Sequence, residues 1–579
     1  MESKVKAMDA LFKILIVAAG IIAYFSFVLG QNGKVVYYYG IVPAVIALGL
    51  AFYFRNRRIF YEGLDYVKNN WGQIHKRKRE FKEIRNLFDI ISIENADKFY
   101  IDDQTWSDFT MDKVFSLLDR TLTIPGEQNL YKILRNPELS ADGIEARKKI
   151  LHYFEKNQDI RERIQGELYA LGRMPNSRVL DLMYSELFVY NKGLKYLFDG
   201  LAVVSLFFAA MIPFVKFGAV LLLVLISCVN GVIHQKLAKD ISAITKSAKY
   251  LGGVIAAASK ISKIEDEELK TITKELKVLS QKGLKLAKSS SNIGNANGAN
   301  PFMDYANILF LIEERSYFSI VSEIKKNKED IKKLYNLLGE IDAIISIASY
   351  RQGIEDFTEP NLTSDTVKLD VKNIRHPLIE DAVPNSITIE NKGIILTGSN
   401  MSGKSTFLRT IGVNALLAQT VCTCLASEYT GSIFKIISSI SPEDNITSGT
   451  SYYLGEAEAI LRILKTCNKE IPCLCIIDEI FRGTNPIERI NASTEILNYL
   501  KEHNTLPIVA THDLELTQLV NHNYECYYFT EDVDETEGLE FDYLIRKGVS
   551  KTRNAIKVLK YLGYPKDLMD KINTRVEKI

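Results

Sequence analysis

No sign of charge prevails in this 579-residue sequence: 72 Lys and Arg face 71 Asp and Glu, a formal net charge of +1. The global basic field that advertises a nucleic-acid binder is therefore missing. Cysteine is sparse and odd in number, seven in all. The C-x-C pairs Cys422/Cys424 and Cys473/Cys475 alternate within apolar stretches, which predicts packing in strands rather than zinc or disulfides. A small-x-small cleavage site before Gln31 is also lacking, so the apolar N-terminal run reads as a membrane span in preference to a secretory signal.

Long apolar runs are present instead. Leu11 to Leu29 and Val35 to Phe54 form one pair, Phe198 to Val215 and Phe217 to Ile233 a second pair separated only around Lys216. Each is near the ~20 residues needed to cross a ~30 Å hydrocarbon core. Buried core helices are the competing reading, above all for the second pair; against it, Pro213 and the single-residue hinge make a tight hairpin, and Asp199 sits at an end where it could reach the interface. Lys4 and Lys6 precede the first run, Arg55, Arg57 and Arg58 follow the second, and Lys236, Lys239, Lys246 and Lys249 follow the fourth. The two short connections carry only Lys34 and Lys216. This asymmetry predicts a multi-pass cell-membrane protein with both termini cytoplasmic. Tyr37, Tyr38 and Tyr39 fit an interfacial aromatic belt or simple packing. The basic cluster of Lys76, Arg77, Lys78, Arg79, Lys82 and Arg85 reads as a solvated helix face near anionic lipid, with DNA contact as the minority reading.

The most informative stretch is Gly398, Ser399, Asn400, Met401, Ser402, Gly403, Lys404 and Ser405, which fits G-x-x-x-x-G-K-[ST]. An apolar strand, Ile394 to Leu396, precedes it, and a helix opens near Thr406. Such a loop turns backbone N–H groups around phosphate oxygens at a helix N-terminus. Lys404 is placed to reach the β- and γ-phosphates of ATP, and Ser405 to hold Mg²⁺. Cys473 to Ile477 is a continuous apolar run ending in Asp478 and Glu479, the pattern of a buried parallel strand delivering two carboxylates. Asp478 is expected on the Mg²⁺ shell, and Glu479 as the group that orients or deprotonates the attacking water.

Several elements in a fixed order carry a resemblance. Arg375-His-Pro, Val383-Pro-Asn385, Thr397 through Thr406, Asp444 through Ser451, Asp478-Glu-Ile-Phe-Arg-Gly-Thr484 and Ala510-Thr-His512 resemble the ATPase domain of the MutS mismatch-repair family. Val114 to Gly126 is similar to the start of that family's helical core. The resemblance implies a homodimer with composite ATP sites. Ser448, Gly449 and Ser451 would close over ATP held by the other subunit, and His512 would sense the γ-phosphate. The family's F-x-E mismatch-reading element has no counterpart, since apolar runs occupy its place; mismatch recognition is therefore not expected.

The predicted architecture is an α/β P-loop NTPase of ABC/MutS-like type at 356–579, preceded by a mostly α-helical core and lever-like region. A transmembrane hairpin is expected over 1–55, helical segments over 56–195 and 236–355, and a second hairpin over 196–235. The polar stretch from Ser289 to Asn300 reads as a flexible loop. A membrane-anchored ATPase is the first functional reading. An ABC-type transporter is the alternative, disfavoured by the missing L-S-G-G-Q pattern and the scarcity of charge within the spans. A membrane-tethered DNA-binding protein is the third, and the client is not specified by the sequence.

Overall fold

The computed structural model describes residues 2–32, 35–175, 177–186, 192–215, 217–291, 301–363, 366–398, 402–440, 452–467, 470–481, 483–534, 538–549, 559 and 563–576. Two apolar helices open the chain, α1 (Glu2–Asn32) and α2 (Ile41–Asn69), joined through a 3-10 turn at Val35–Gly40. Of its tyrosines, Tyr38 packs against Gly30, where a Cβ would lie 2.7 Å from the ring, while Tyr37 and Tyr39 are exposed. The membrane-hairpin boundary expected at 55 falls inside α2, whose C-terminal half continues onto the helical core. Lys68 pairs with Glu162 at 3.1 Å, and the Phe60 ring fills the space above Gly166.

Short amphipathic helices then build that core: α3 (Phe81–Glu94), α4 (Asp103–Asp108), α5 (Met111–Leu118), α6 (Ile124–Arg135), α7 (Ala141–Lys156), α8 (Gln158–Leu171) and α9 (Val179–Tyr184). Local chemistry explains their starts. Thr123 caps α6 by accepting the Gly126 N–H, with Pro125 in the first turn, and Ser140 caps α7 in the same way. Two further apolar elements follow, α10 (Lys192–Val215) and the 45-residue α11 (Phe217–Ile261), which runs unbroken past the boundary expected at 235. Helices α12 (Lys270–Ser291), α13 (Pro301–Phe310), α14 (Ile312–Lys326) and α15 (Lys328–Gln352) complete the region. The expected polar loop lies outside the described residues from 292 to 300. Asp199 is engaged by Arg315 Nε at 2.7 Å.

The C-terminal region is α/β. Strands β1 (Asn361–Thr363), β2 (Lys368–Ile374), β3 (Asn385–Glu390) and β5 (Glu428–Ser432) form a mixed sheet in the order β1-β5-β2-β3. A second sheet contains β4 (Gly393–Thr397), β6 (Lys435–Ser439), β7 (Cys473–Asp478), β8 (Thr505–Ala510), β9 (Tyr524–Asp534) and β10 (Gly538–Lys547), in the order β10-β9-β4-β8-β7-β6. All its pairings are parallel except β9–β10. Helices α16 (Lys404–Thr420), α17 (Tyr452–Thr466), α18 (Pro486–Glu502) and α19 (Leu514–Leu519) connect the strands, and α20 (Lys566–Val576) follows.

The alternation of β7 explains the layering. Leu474 and Ile476 face a core shared with α16 and the helical region, whereas Cys473, Cys475 and Ile477 face a second core beneath α17 and α18. The first core runs without a break from Ile84 and Phe115 to Leu408 and Ile508. At the seam Phe109 lies against Gly412, where a Cβ would stand 2.2 Å from the ring; only glycine permits that approach.

Two expectations are corrected. Residues 76–79 are not helical, because α3 begins at Phe81. Nor is the basic cluster solvated throughout: Arg77 and Arg79 both turn inward to the buried Asp119, and Arg77 also meets Glu127 at 2.9 Å, while Lys76, Lys78 and Lys82 stay exposed. Cys422 and Cys424 are buried as expected, but Cys422 lies in the bend after α16 and Cys424 in an isolated antiparallel bridge to Thr358, neither in a named strand. Their thiols donate to the Ile144 and Asn414 carbonyls at 3.8 and 3.7 Å.

Candidate functional site

Strand β4 is buried along its length, and six residues separate its end at Thr397 from the start of α16 at Lys404. Two glycines make the connection possible: Gly398 has φ 134° and Gly403 φ 104°. Both values lie where side chains are strained, and a Cβ on Gly398 would also stand 2.7 Å from the Phe529 carbonyl oxygen. Lys404 is 2 % exposed, and its Nζ donates to the Gly398 carbonyl at 2.6 Å. The ammonium group is thereby directed back into the loop. Ser402, Ser405 and Thr406 are described with it; Ser399, Asn400 and Met401 lie outside the described residues.

Strand β7 brings the carboxylates to the same edge. Asp478, 8 % exposed, ends the strand and accepts a hydrogen bond from the Ser405 hydroxyl. The next residue, Glu479, has φ 65°, and Phe481 has φ 59°. A left-handed backbone at two side-chain-bearing residues within one turn stores strain, which tends to gather at functional sites. It turns Glu479 out of the strand line while its N–H donates to the Ala510 carbonyl at 2.9 Å. His512, just beyond β8, approaches the Glu479 carboxylate at 3.2 Å through Nε2. The fold therefore gathers Lys404 and Ser405 at the start of α16, Asp478 and Glu479 at the end of β7, and His512 just beyond β8. Ser448, Gly449 and Ser451 lie outside the described residues.

Other residues at the site were not singled out as functional from the sequence. Arg489 of α18 grips Asp513 through Nε at 2.8 Å and Nη2 at 2.5 Å, and this fixes the residue next to His512. The fork holds the guanidinium pKa above its ordinary value. Glu456 of α17 is buried and accepts the Gly483 N–H at 3.3 Å. Beside Gly403 and Thr406 opens a cleft of about 370 Å³ lined also by His376, Val383, Asn385 and Tyr543. Here the Arg375-His-Pro and Val383-Pro-Asn385 elements acquire a place. Asn385 accepts the Ile545 N–H at 2.8 Å and donates to the Tyr543 carbonyl at 2.9 Å, which pins β10 to β3. His376 accepts the Leu378 N–H at 3.2 Å; burial, with Arg409 nearby, lowers its pKa to about 4.

Hard oxygen donors suit a magnesium ion, which takes one or two protein oxygens and completes its shell with water and substrate phosphate. The Ser405 hydroxyl and Asp478 carboxylate, hydrogen-bonded beside a buried lysine, fit that requirement.

The domain described as MutS domain III matches residues 93–348, and MutS domain V matches residues 394–579. The chain belongs to the MutS family. It is 31 % identical over 281 residues to the DNA mismatch repair protein MutS of Fervidobacterium nodosum, an alignment covering 46 % of this chain and 34 % of that protein. The MutS of Thermotoga maritima is 30 % identical over 276 residues, with the same coverages. The DNA mismatch repair protein MSH3 of Vanderwaltozyma polyspora is 30 % identical over 287 residues, covering 47 % of this chain and 28 % of the relative. This MutS-family chain thus aligns with about a third of the length of these curated relatives. The domain III match runs straight through α10 and the apolar half of α11.

Proposed function

We propose that this MutS-family chain is a membrane-anchored, Mg²⁺-dependent ATPase that works as a homodimer and uses ATP to move its helical core. The observation that carries the reading is the hydrogen bond between Ser405, at the start of α16, and Asp478, at the end of β7, beside the buried Lys404. Lys404 would bind the β- and γ-phosphates, with the backbone N–H groups of 398–406 around them. Ser405 and Asp478 would hold Mg²⁺, which when bound neutralises phosphate charge. Glu479 would orient the attacking water and take its proton, while His512 holds the Glu479 carboxylate in place and meets the γ-phosphate. The cleft beside His376 and Tyr543 would take the nucleoside.

A second subunit completes the site in this reading. Developing charge on the transferred phosphoryl group needs donors on both sides, and Ser448, Gly449 and Ser451 of the partner would supply the far side.

Membrane anchoring is supported by four helices long and apolar enough to cross a bilayer: Ser3–Gln31, Val36–Asn69, Gly193–Ile212 and Phe217–Leu237. Only 11–17 % of each apolar window is buried in the protein, and Ile14, Phe25, Phe207 and Leu225 are among the side chains that stand exposed. An exposed apolar surface of this extent needs a non-aqueous partner. The basic flanks favour an orientation with the α/β domain on the cytoplasmic side of the cell membrane. Mismatch recognition is assigned no part, while DNA stays a partner to be tested: of the basic cluster, Arg77 and Arg79 are taken up by Asp119, whereas Lys76 and Lys78 stand exposed. The direct test is phosphate release by the purified full chain in detergent, with and without Mg²⁺, lipid vesicles and duplex DNA. Mg²⁺-dependent turnover supports the reading. Its absence under every condition, or stimulation by mismatched duplex alone, overturns it.

A further inference from the structure

The end of β7 remote from the carboxylates holds a second group of chemically capable side chains. Cys473 and Cys475 point to the same face of the strand, and the C-terminal end of α17 brings Cys467 over them. The Sγ atoms of Cys467 and Cys475 are 3.7 Å apart, as are those of Cys473 and Cys475, and all three lie within 4.8 Å of one another. Cys473 and Cys475 are fully buried and Cys467 is half-buried.

Two thiols packed by chance need only avoid overlap. Three sulfurs converging on one point is a more specific arrangement. Thiolates bound ~2.3 Å from one ion with tetrahedral angles sit about 3.8 Å from each other, close to the spacing found here. We propose that Cys467, Cys473 and Cys475 form a three-thiolate site for a soft, thiophilic cation of the zinc or copper(I) class. Soft sulfur donors select such ions over Mg²⁺ or Ca²⁺, so the site does not compete for the ion expected at Ser405 and Asp478.

The surroundings suit the negative charge of such a donor set. Lys435 lies directly across from Cys473 in the β6–β7 register. His503 precedes Asn504, whose carbonyl accepts the Cys473 N–H at 3.1 Å. Binding displaces the thiol protons of the three cysteines to solvent, with no change of sulfur oxidation state. The bound ion would staple the end of α17 to the start of β7. Three ligands leave a fourth position open, the count found in zinc sites that keep an exchangeable ligand.

The test uses the full chain in detergent, stripped with chelator and reduced with a phosphine under anaerobic conditions. Co²⁺ titration should produce a sulfur-to-cobalt charge-transfer band that saturates at one equivalent and is displaced by Zn²⁺. Competition with a copper(I) chelator reads the Cu⁺ arm. Proton release should accompany uptake. Cys467→Ser, at a half-exposed helix end, should weaken binding by more than the ~10–100-fold that follows loss of an outer-shell partner. Cys526→Ser should leave it unchanged. The wild-type titration decides the matter even where a cysteine variant fails to fold. No band and no copper uptake in the reduced wild type, or a band unaltered in folded Cys467→Ser, overturns the proposal. So does a Cys467–Cys475 disulfide in the protein as isolated, with no metal uptake after reduction.

Discussion

Asp108 of the helical core holds Ser438 of the α/β sheet: its Oδ2 accepts the Ser438 hydroxyl at 2.7 Å and the Ile440 N–H at 2.9 Å. Both partners lie at the end of β6, immediately before residues 441–451, which carry the expected signature loop. Around this joint the Arg409 Nε donates to the Asp108 carbonyl at 2.8 Å, and Arg462 bridges Asp102 to the Ser438 carbonyl. One residue of α4 is thus tied through its carbonyl to the phosphate-loop helix and through its carboxylate to the approach to residues 441–451. Asp108→Ala should strand two buried donors. Destabilisation of about 2–4 kcal/mol is expected, measured by denaturant unfolding of the full chain, because each unsatisfied group costs ~1–3 kcal/mol. Asp108→Asn, which keeps one acceptor, should lose less. ATP turnover in folded Asp108→Asn should fall without a matching loss of nucleotide affinity.

Glu479→Gln separates binding from chemistry. The variant should retain ATP, by equilibrium binding, and turn it over ~10²–10⁴-fold more slowly, the usual consequence of losing a positioned base. Lys404→Ala should instead weaken triphosphate binding itself. Wild-type turnover in Glu479→Gln would remove Glu479 from the catalytic role.

The proposed shared sites make a mixing experiment informative. Lys404→Ala protein combined with Ser448→Ala/Ser451→Ala protein should regain part of the activity that each lacks alone, because a mixed dimer contains one intact composite site. Specific activity independent of protein concentration to nanomolar levels, with no dimer formed on adding ATP, would contradict the dimer.

Stability should depend on pH through His376. The folded protein keeps this imidazole neutral down to about pH 4, whereas the unfolded chain protonates it near 6.5. Between those values the unfolded state binds more protons, so stability falls as pH drops from 6.5 toward 4. The full loss is about 3 kcal/mol. His376→Asn should flatten this part of the pH profile, read as midpoint denaturant concentration at each pH.

Topology can be read by labelling. Cysteines placed at Asn32 and Lys216 should react with an impermeant reagent added to intact cells, and one at Arg57 should not. Reaction at Arg57 but not Asn32 would reverse the orientation, and reaction at neither connection would make α10 and α11 core helices.

How much of this was legible depended on the distance over which each residue acts. Lys404, Ser405 and Asp478 sit in local patterns whose chemistry constrains neighbours, so their meeting was anticipated from spacing and strand character. Asp108 and Ser438 are 330 residues apart, and nothing beside either one signals the other. The arginines at 77 and 79 misled for the same reason. A run of charge reads as a solvated face until Asp119, buried 40 residues on, is seen to absorb it. Cys473 and Cys475 showed their shared face by alternation, whereas Cys467 joins them only because α17 ends where it does. The left-handed backbone at Glu479 left no compositional trace, since glutamate has no preference for it.

Helix α11 has a mechanical consequence. Its 45 residues form one uninterrupted rod, about 66 Å from end to end at 1.5 Å per residue. Its last turns, at Leu251, Val254, Ala258 and Ile261, are clamped in the same core that reaches Leu408 on the phosphate-loop helix. A rod clamped at one end, and moving together with α10, α13 and α14 that pack along it, amplifies angle into displacement. A tilt of about 5° at the clamp swings the far, apolar end through about 6 Å, roughly one helical pitch. Sub-ångström repacking beside α16 would therefore be felt at Phe217 as movement by the width of a side chain.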